Sequence, residues 1–254
     1  RAWLLGRIAA KDAARAWLWQ RADGPLWPAE FQVGNDPSGQ PWIRRHASRG
    51  NERLSVSLAH TTGIGVAIVR PEGTARVGID IESVEAVTAA AGAVQAIAFT
   101  EGELELLHRL SPPLPGMPAG PTELSPLWMT RFWTAKEAVG KAVGTGLAGR
   151  PQDFEVQAVD GPALLVATGT GAVSGHATGV HRVQTRVLSG ASGEIPSHGA
   201  GADARSGAEA RAGAEAGAAA QTDHVVAWTD EPIHTRAAGT PGGPPHPRRT
   251  VRRR

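Results

Sequence analysis

Apolar positions recur with two different spacings in the first third of the chain. Residues 1–22 place them close to every 3.6 residues, which predicts an amphipathic helix. Residues 54–69 first alternate apolar and polar positions and then run apolar, which predicts two strands joined by a polar turn at residues 60–63. Residues 29–34 predict a further short strand. This part of the chain therefore combines one helix with several strands.

The segment RVGIDIE at residues 76–82 alternates as a strand and brings two carboxylates to one face. Asp80 and Glu82 project the same way, with Cα atoms about 7 Å apart. Because neighbouring carboxylates repel each other, this face is either solvated or occupied by a cation. Oxygen ligands without cysteine or histidine favour Mg²⁺ over zinc. The simpler alternative is two acids on the solvated face of an edge strand.

Helices and then strands follow this segment. Residues 86–98 predict an alanine-rich helix, and Thr100 with Glu103 forms a capping box that starts another helix through Leu110. Residues 111–126 hold six prolines and predict a loop. Alternating or apolar runs predict four later strands, at residues 153–159, 163–168, 181–188 and 224–229.

The stretch from Trp128 to Leu147, WMTRFWTAKEAVGKAVGTGL, predicts a helix that ends at glycines. Trp133, Glu137 and Lys141 stand four residues apart and therefore lie on one face. Lys136 lies beside Glu137, about a third of a turn around. The simpler interpretation of this face is a surface Glu–Lys pair that contributes only a few tenths of a kcal/mol.

Composition excludes several classes of protein. The chain of 254 residues has no cysteine, so neither a disulfide nor a thiolate metal site is available. The formal net charge is +2, and without the five arginines near the C-terminus it is −3, which does not indicate a nucleic-acid surface. Apolar runs are too short for a membrane span, and no leader is evident, so we expect a cytoplasmic protein. Because residue 1 is arginine rather than methionine, we expect either a segment of a longer chain or an incomplete N-terminus.

Two of these motifs together resemble the 4'-phosphopantetheinyl transferases. They are VGIDIE at residues 77–82 and FWTAKEAVGKAVGTGL at residues 132–147, about fifty residues apart as in that family. SLAHT at 57–61 stands where the family has an Asn-x-Ser-His-Ser loop. GQP at 39–41 is similar to the family's Gly-Lys/Arg-Pro turn, and LLGRIAAKDA at 4–13 is similar to its first helix. The resemblance is closest to the larger, surfactin-synthetase-activating type, which also occurs fused to the end of polyketide synthases.

The resemblance implies an α+β (α/β) fold of two similar subdomains, related by a pseudo-two-fold, with a ligand cleft between them. Residues 1–75 would form the N-terminal half, truncated at its start, and residues 76–188 with 223–231 the half that holds the metal site. Residues 189–222, rich in alanine and glycine, predict a disordered insertion, and residues 232–254 a disordered basic tail. With two halves in one chain, we expect a monomeric catalytic unit.

The implied reaction moves 4'-phosphopantetheine from coenzyme A to a serine of an apo acyl or peptidyl carrier protein and releases 3',5'-ADP. The resemblance implies that Asp80, Glu82 and Glu137 coordinate Mg²⁺. Glu137 would take the proton from the carrier serine, directly or through a water that it orients. Lys141 would neutralise charge on the diphosphate and the leaving group.

The resemblance also implies residues that bind coenzyme A. His60 would hydrogen-bond a phosphate, and Lys11 and Arg1 are candidates for the 3'-phosphate. Lys136 is expected to make a phosphate contact or a structural one, whereas Trp133 is expected to pack in the core.

Two residues depart from the family pattern. Ala59 replaces the usual serine before the histidine, and Gln40 replaces a basic residue. A phosphate contact is therefore weaker or is supplied by another residue.

Three alternatives remain at this point. In the first, the chain is a non-catalytic module of the same fold that binds coenzyme A or a carrier protein, and either the expected truncation at its start or the changes at Gln40 and Ala59 abolish turnover. A different Mg²⁺-dependent phosphoryl-transfer enzyme acting on nucleotides has little support, because the chain lacks a G-x-x-x-x-G-K-[ST] loop. A nucleic-acid-binding protein is suggested only by the arginine tail.

Overall fold

The structure, a computed structural model, describes residues 2–21, 25–46, 53–111, 124–169, 179–189, 213–214 and 222–229. Arg1, residues 112–123 of the proline-rich loop, the basic tail and nearly all of the Ala/Gly-rich insertion lie outside these ranges. The predictions made for them are therefore not addressed by the structure. No helix in the described ranges is long and apolar enough to cross a membrane.

The first sheet carries one long helix. Helix α1 (Ala2–Trp19) packs on the two central strands of an antiparallel sheet with the strand order β1-β2-β3-β4-β9. The strands are β1 (Phe31–Asn35), β2 (Pro41–Arg45), β3 (Arg53–Thr61), β4 (Ile64–Pro71) and β9 (Gly213–Ala214). The predicted helix and strands are confirmed here, but the turn after β3 is shorter than predicted. His60 lies within β3, paired with Gly65.

The second sheet is also antiparallel and has the order β5-β10-β8-β7-β6. Its strands are β5 (Ile79–Ser83), β6 (Phe154–Asp160), β7 (Ala163–Thr168), β8 (Gly179–Leu188) and β10 (His224–Thr229). Strand β5, which carries Asp80 and Glu82, is an edge strand that pairs only with β10 within the described residues. All four strands predicted after the long helix are present.

In the described part of the chain, four α-helices accompany the second sheet: α2 (Val84–Ala89), α3 (Ala91–Ala98), α4 (Glu101–Leu110) and α5 (Pro126–Val143). The single helix predicted over residues 86–98 is wrong, because the chain breaks at Ala90 into α2 and α3. Val87 packs in the core from α2 and Ala98 from α3, so tertiary packing overrides the alanine-rich helix propensity. The capping box of α4 is confirmed: the Thr100 side chain accepts from the Glu103 amide, and the Glu103 side chain accepts from the Thr100 amide.

Three apolar clusters hold these elements together. One lies under α1 on the first sheet, and the largest lies under α5 on the second sheet around Phe132 and Phe154. The third joins the two sheets, with Val66 and Ile68 from β4 against Ile79 and Ile81 from β5. The fold is thus a mixed α+β arrangement of two sheets with helices. The pseudo-two-fold relation and the division at residue 75 stay predictions.

Candidate functional site

The backbone of the chain just before β5 lies directly against helix α5. A Cβ atom added at Gly78 would lie 1.7 Å from the carbonyl oxygen of Ala138. On its other side, Gly78 exchanges hydrogen bonds with Thr229 of β10: its amide donates to Oγ1 at 2.9 Å, and its carbonyl accepts from the Thr229 amide at 2.9 Å. Glycine at this position therefore brings the side chains of β5 within reach of the exposed turns of α5.

Asp80 and Lys141 form the first contact between these two elements. The Lys141 ammonium donates to Asp80 Oδ1 at 2.6 Å and to the Ile79 carbonyl at 3.2 Å. Asp80 is only 6% exposed, and its Oδ2 is buried with no hydrogen-bond partner among the described residues. The alternative of two acids on a solvated face is therefore wrong for Asp80. One carboxylate oxygen there is left for a ligand.

Glu82 and Glu137 complete an acidic cluster with Asp80. Burial raises the pKa of Glu82 from its ordinary 4.5 to about 7, helped by the charges of Asp80 and Glu137 and opposed by Lys141 and a hydrogen bond from the Trp133 side chain. Burial also raises the pKa of Glu137, as does Asp80, while Lys141 lowers it. The predicted shared face of α5 is thus present, since Trp133, Glu137 and Lys141 all act on carboxylates of β5 or on one another.

The donor set of the acidic cluster fits Mg²⁺ in chemical type. It consists of three carboxylates, and the unpartnered Asp80 Oδ2 can accept a cation without losing a hydrogen bond. Within the described ranges, however, no three acidic or histidine side chains are already gathered closely enough to hold a metal ion. Lys141 and Trp133 each bind one of the acids. The carboxylates are therefore near one another but are not arranged as a closed ligand cage.

A cleft of about 520 Å³ lies beside the acidic cluster. It is lined by residues of α1 and the first sheet and by residues from Arg76 onward. Arg7, Gln40 and His60 line it from the first sheet and α1, and Arg76 and Lys141 line it from the second part. No carboxylate from the described residues lines it. A concave surface with several cations and no acid attracts anions, so the cleft favours a ligand that carries phosphate or carboxylate groups.

The predicted coenzyme A contacts are only partly found at this cleft. His60 lines it and is exposed, whereas Lys11 is not among its lining residues. Arg7, one helical turn before Lys11, lines it instead, with its guanidinium 4.1 Å from the Trp3 ring centroid and donating to the Val33 carbonyl. Arg7 and Lys11 are four residues apart and therefore share a face of α1, but the sequence had no means of telling which of the two lines the cleft.

Lys136 does not reach the cleft, and its assignment as a cofactor-binding residue is wrong. Its side chain is fully buried, and its ammonium donates to Glu103 Oε2 at 2.7 Å, to the Ala98 carbonyl at 2.5 Å and to the Pro151 carbonyl at 3.2 Å. Because an ammonium has three protons, none is left for a phosphate. Glu103 in turn accepts from the Val156 amide at 2.8 Å. Lys136 therefore ties α5 to α4 and β6.

Arg76 is a cleft residue that sequence reasoning missed. It is exposed, it lines the cleft, and it immediately precedes the segment VGIDIE. Arg76 was the first residue of the strand predicted over residues 76–82, where alternation would put it on the face of Asp80. The strand begins only at Ile79, so alternation did not predict that Arg76 lines the cleft.

Comparison with known proteins agrees with the resemblance to the 4'-phosphopantetheinyl transferases over residues 76–188. Residues 76–188 match the model of the 4'-phosphopantetheinyl transferase superfamily. The search of curated protein sequences finds no match to the chain. The matched residues include the acidic cluster, Arg76 and Lys141, whereas Arg7 and His60 lie outside the match. Residues 76–188, less than half of the chain, are thus similar to this superfamily, and the similarity supports phosphopantetheinyl transfer in general terms.

Proposed function

We propose that the chain is a phosphopantetheinyl transferase of the larger, two-halved type, which moves 4'-phosphopantetheine from coenzyme A to a serine of an apo acyl or peptidyl carrier protein. The observation that supports it best is the position of Lys141. Lys141 lines the cation-rich cleft, and its ammonium binds Asp80 of the acidic cluster. A phosphate ligand in the cleft and a cation among the carboxylates would therefore meet at this side chain.

The cleft would hold the phosphates of coenzyme A. His60 and Arg7 approach from the first part of the chain and Lys141 from the second. Arg7 replaces Lys11 as the candidate for a phosphate contact from α1, because Arg7 lines the cleft. Gln40 also lines the cleft, but it contributes a neutral amide where the resemblance leads one to expect a cation. We therefore expect the charge of Arg7 to contribute more to phosphate binding.

Asp80, Glu82 and Glu137 would hold the magnesium ion. When bound, Mg²⁺ neutralises charge on the diphosphate oxygens and fixes their orientation. Burial is the main cause that raises the pKa of Glu82 and Glu137, and repulsion from the neighbouring carboxylates raises it further. A bound cation would relieve that repulsion. The reduced repulsion favours binding of a divalent ion, even though Asp80 already forms an ion pair with Lys141.

Glu137 is the residue that would take the proton of the carrier serine. Its pKa is raised by burial and by Asp80, which makes it a stronger base than an exposed glutamate once it is ionised. As the serine oxygen bonds to the β-phosphorus of coenzyme A, the bond from that phosphorus to the bridging oxygen breaks, and 3',5'-ADP leaves with the electron pair. Lys141 neutralises the charge that develops on the leaving diphosphate oxygen.

The carrier protein would dock beside the cleft, and we propose helix α4 as part of that surface. The helix buries Leu107 and exposes the opposite face. The loop that follows it lies outside the described residues.

The mass of an apo acyl carrier protein, measured after incubation with this protein, coenzyme A and Mg²⁺, tests the proposed function. We expect a gain of one phosphopantetheine that is lost with EDTA and in Glu137→Gln. Glu72→Gln is the matched control, because Glu72 lies just after β4 with its side chain 56% exposed, away from the cleft and from α4, and this variant should keep the gain.

The non-catalytic alternative has a different outcome in the same experiment. No mass gain with several carriers, together with coenzyme A binding in calorimetry, would favour a binding module over an enzyme. Absence of both the mass gain and coenzyme A binding would show that the proposed function is wrong.

A further inference from the structure

Arg76 occupies a place that helix α5 leaves free at its C-terminal end. A Cβ atom at Gly144, the C-cap of α5, would lie 1.8 Å from Arg76 Nη1 and 3.0 Å from its Cζ. Gly144 has φ of 90°, a conformation that a residue with a side chain adopts only with strain. The glycine thus ends the helix and also makes room for the guanidinium group.

Arg76 and Lys141 are neighbours on the surface of this helix end. Lys141 precedes Gly144 by three residues, so the two positions share a face and are separated by about 5–6 Å between Cβ positions. Because the Arg76 guanidinium lies against Gly144, it stands about one turn beyond Lys141. Both residues line the same cleft.

The charges of these two residues are compensated differently. Lys141 donates to Asp80 at 2.6 Å, so an acid already balances part of its charge. Among the described residues, no carboxylate forms an ion pair with Arg76, which is exposed to solvent. The positive charge of Arg76 is therefore the one more fully available to a ligand at this end of the cleft.

The helix end makes such a charge necessary. The carbonyl groups of the last turn give the C-terminus of a helix a partial negative charge, which disfavours a bound anion. A cation at this place offsets that repulsion. A guanidinium group also offers two parallel N–H donors that match the geometry of a phosphate.

We propose that Arg76 is a second ligand-binding cation of the cleft and that, with Lys141, it holds the diphosphate of coenzyme A. This inference rests on the proposed function for the identity of the ligand. It assigns to Arg76 a contact that the VGIDIE motif itself does not include. The two cations, one turn apart, would bind oxygens of the adjacent phosphoryl groups from one side.

Binding affinity for three ligands tests this assignment. Coenzyme A and dephospho-coenzyme A both contain the diphosphate but differ in the 3'-phosphate, and 4'-phosphopantetheine lacks the diphosphate. We expect Arg76→Gln to weaken binding of the first two by a similar factor, about tenfold or more, since a charged hydrogen-bonded contact is lost. Binding of 4'-phosphopantetheine should change much less.

Arg109→Gln is the control for the loss of one positive charge. Arg109 lies on α4 with its side chain 65% exposed and pairs only distantly, at 4.0 Å, with Glu105, so this variant should bind both coenzymes as the wild type does. Arg76→Lys keeps the positive charge but lacks the two parallel N–H donors of the guanidinium. Its affinity for both coenzymes should therefore lie between those of the wild type and Arg76→Gln. If Arg76→Gln does not fold, Arg76→Lys is the variant that decides.

The unfolding temperature of the ligand-free protein separates binding from a purely structural role. A residue that only caps α5 would lower the unfolding temperature and leave the affinity of the folded protein unchanged, which would overturn the proposal. A loss confined to coenzyme A, with dephospho-coenzyme A binding unchanged, would overturn the assignment to the diphosphate. If the wild type binds neither coenzyme, the proposed function and this inference are both wrong. If the wild type binds both coenzymes and Arg76→Gln binds them with the same affinity, only the inference about Arg76 is wrong.

Discussion

The Cα of Gly78 lies so close to the carbonyl oxygen of Ala138 that a Cβ atom at Gly78 would come within 1.7 Å of that oxygen. The Gly78 Cα and the Ala138 carbonyl oxygen are both backbone atoms, so neither can move aside as the end of a flexible side chain can. This contact sets the distance between β5 and α5, and the acidic cluster depends on that distance.

Gly78→Ala should therefore destabilise the protein strongly, by about 3 kcal/mol or more, since the overlap can be relieved only by moving α5 away from β5. Chemical denaturation measures the loss. Gly92→Ala is the matched control, because nothing lies within 4 Å of its added Cβ, and alanine there should stabilise α3 by up to about 1 kcal/mol. Equal stability of the two variants would contradict the backbone contact.

Lys136→Met should also destabilise the protein, by about 3–5 kcal/mol, because it leaves the fully buried Glu103 carboxylate without its partner. Lys136→Met/Glu103→Gln, which removes the buried charge as well, should recover part of that loss. The free energy of unfolding of the three variants checks this order. A folded Lys136→Met protein that binds coenzyme A normally would support the structural role, and unchanged stability would contradict it.

Lys141→Met should lower stability through Asp80, whose side chain is 8% exposed and loses its ion-pair partner. We expect added Mg²⁺ to raise the unfolding temperature of this variant more than that of the wild type, because the cation replaces the missing charge. Arg109→Met provides the comparison, since its pair with Glu105 is exposed and contributes about 0–1 kcal/mol. An identical response to Mg²⁺ in all three proteins would argue against a cation site at Asp80.

Stability of the metal-free protein should depend on pH through Glu82. The folded pKa of about 7 lies above the ordinary 4.5, so the folded state binds the proton more tightly than the unfolded state does. The resulting stability is fully present below the unfolded pKa and is lost as the pH rises through the folded one. In EDTA, unfolding free energies measured from about pH 5 to about pH 8 should therefore fall more for the wild type than for Glu82→Gln. Parallel profiles would show that Glu82 is not perturbed.

Local patterns in the sequence were sufficient for most of the elements and for the shared face of α5, but not for the break at Ala90 between α2 and α3. Alternation predicted β5 and the later strands, and a capping box predicted the start of α4. The four-residue spacing of Trp133, Glu137 and Lys141 placed them on one face without reference to any other part of the chain. These features depend only on helical and strand geometry within a short segment.

Tertiary packing decided what each face meets. Lys136 and Glu137 are adjacent in sequence, but one is buried against Glu103, 33 residues away, and the other faces the acids of β5. Likewise, Arg7 and Lys11 stand four residues apart on one face of α1, and of the two only Arg7 lines the cleft. Periodicity reports which residues share a face of one element, whereas burial and contact depend on which distant element covers that face.

The sequence by itself determined most of the helices and strands, but not the break between α2 and α3. It also determined the carboxylates of β5 and α5 and the superfamily that these motifs indicate. The tertiary structure decided that Lys136 is structural, that Arg7 lines the cleft and that Arg76 lies against Gly144. The physical reason is that these contacts join residues far apart along the chain. Their distances are set by backbone packing such as that of Gly78 on Ala138, and no short segment of sequence encodes them.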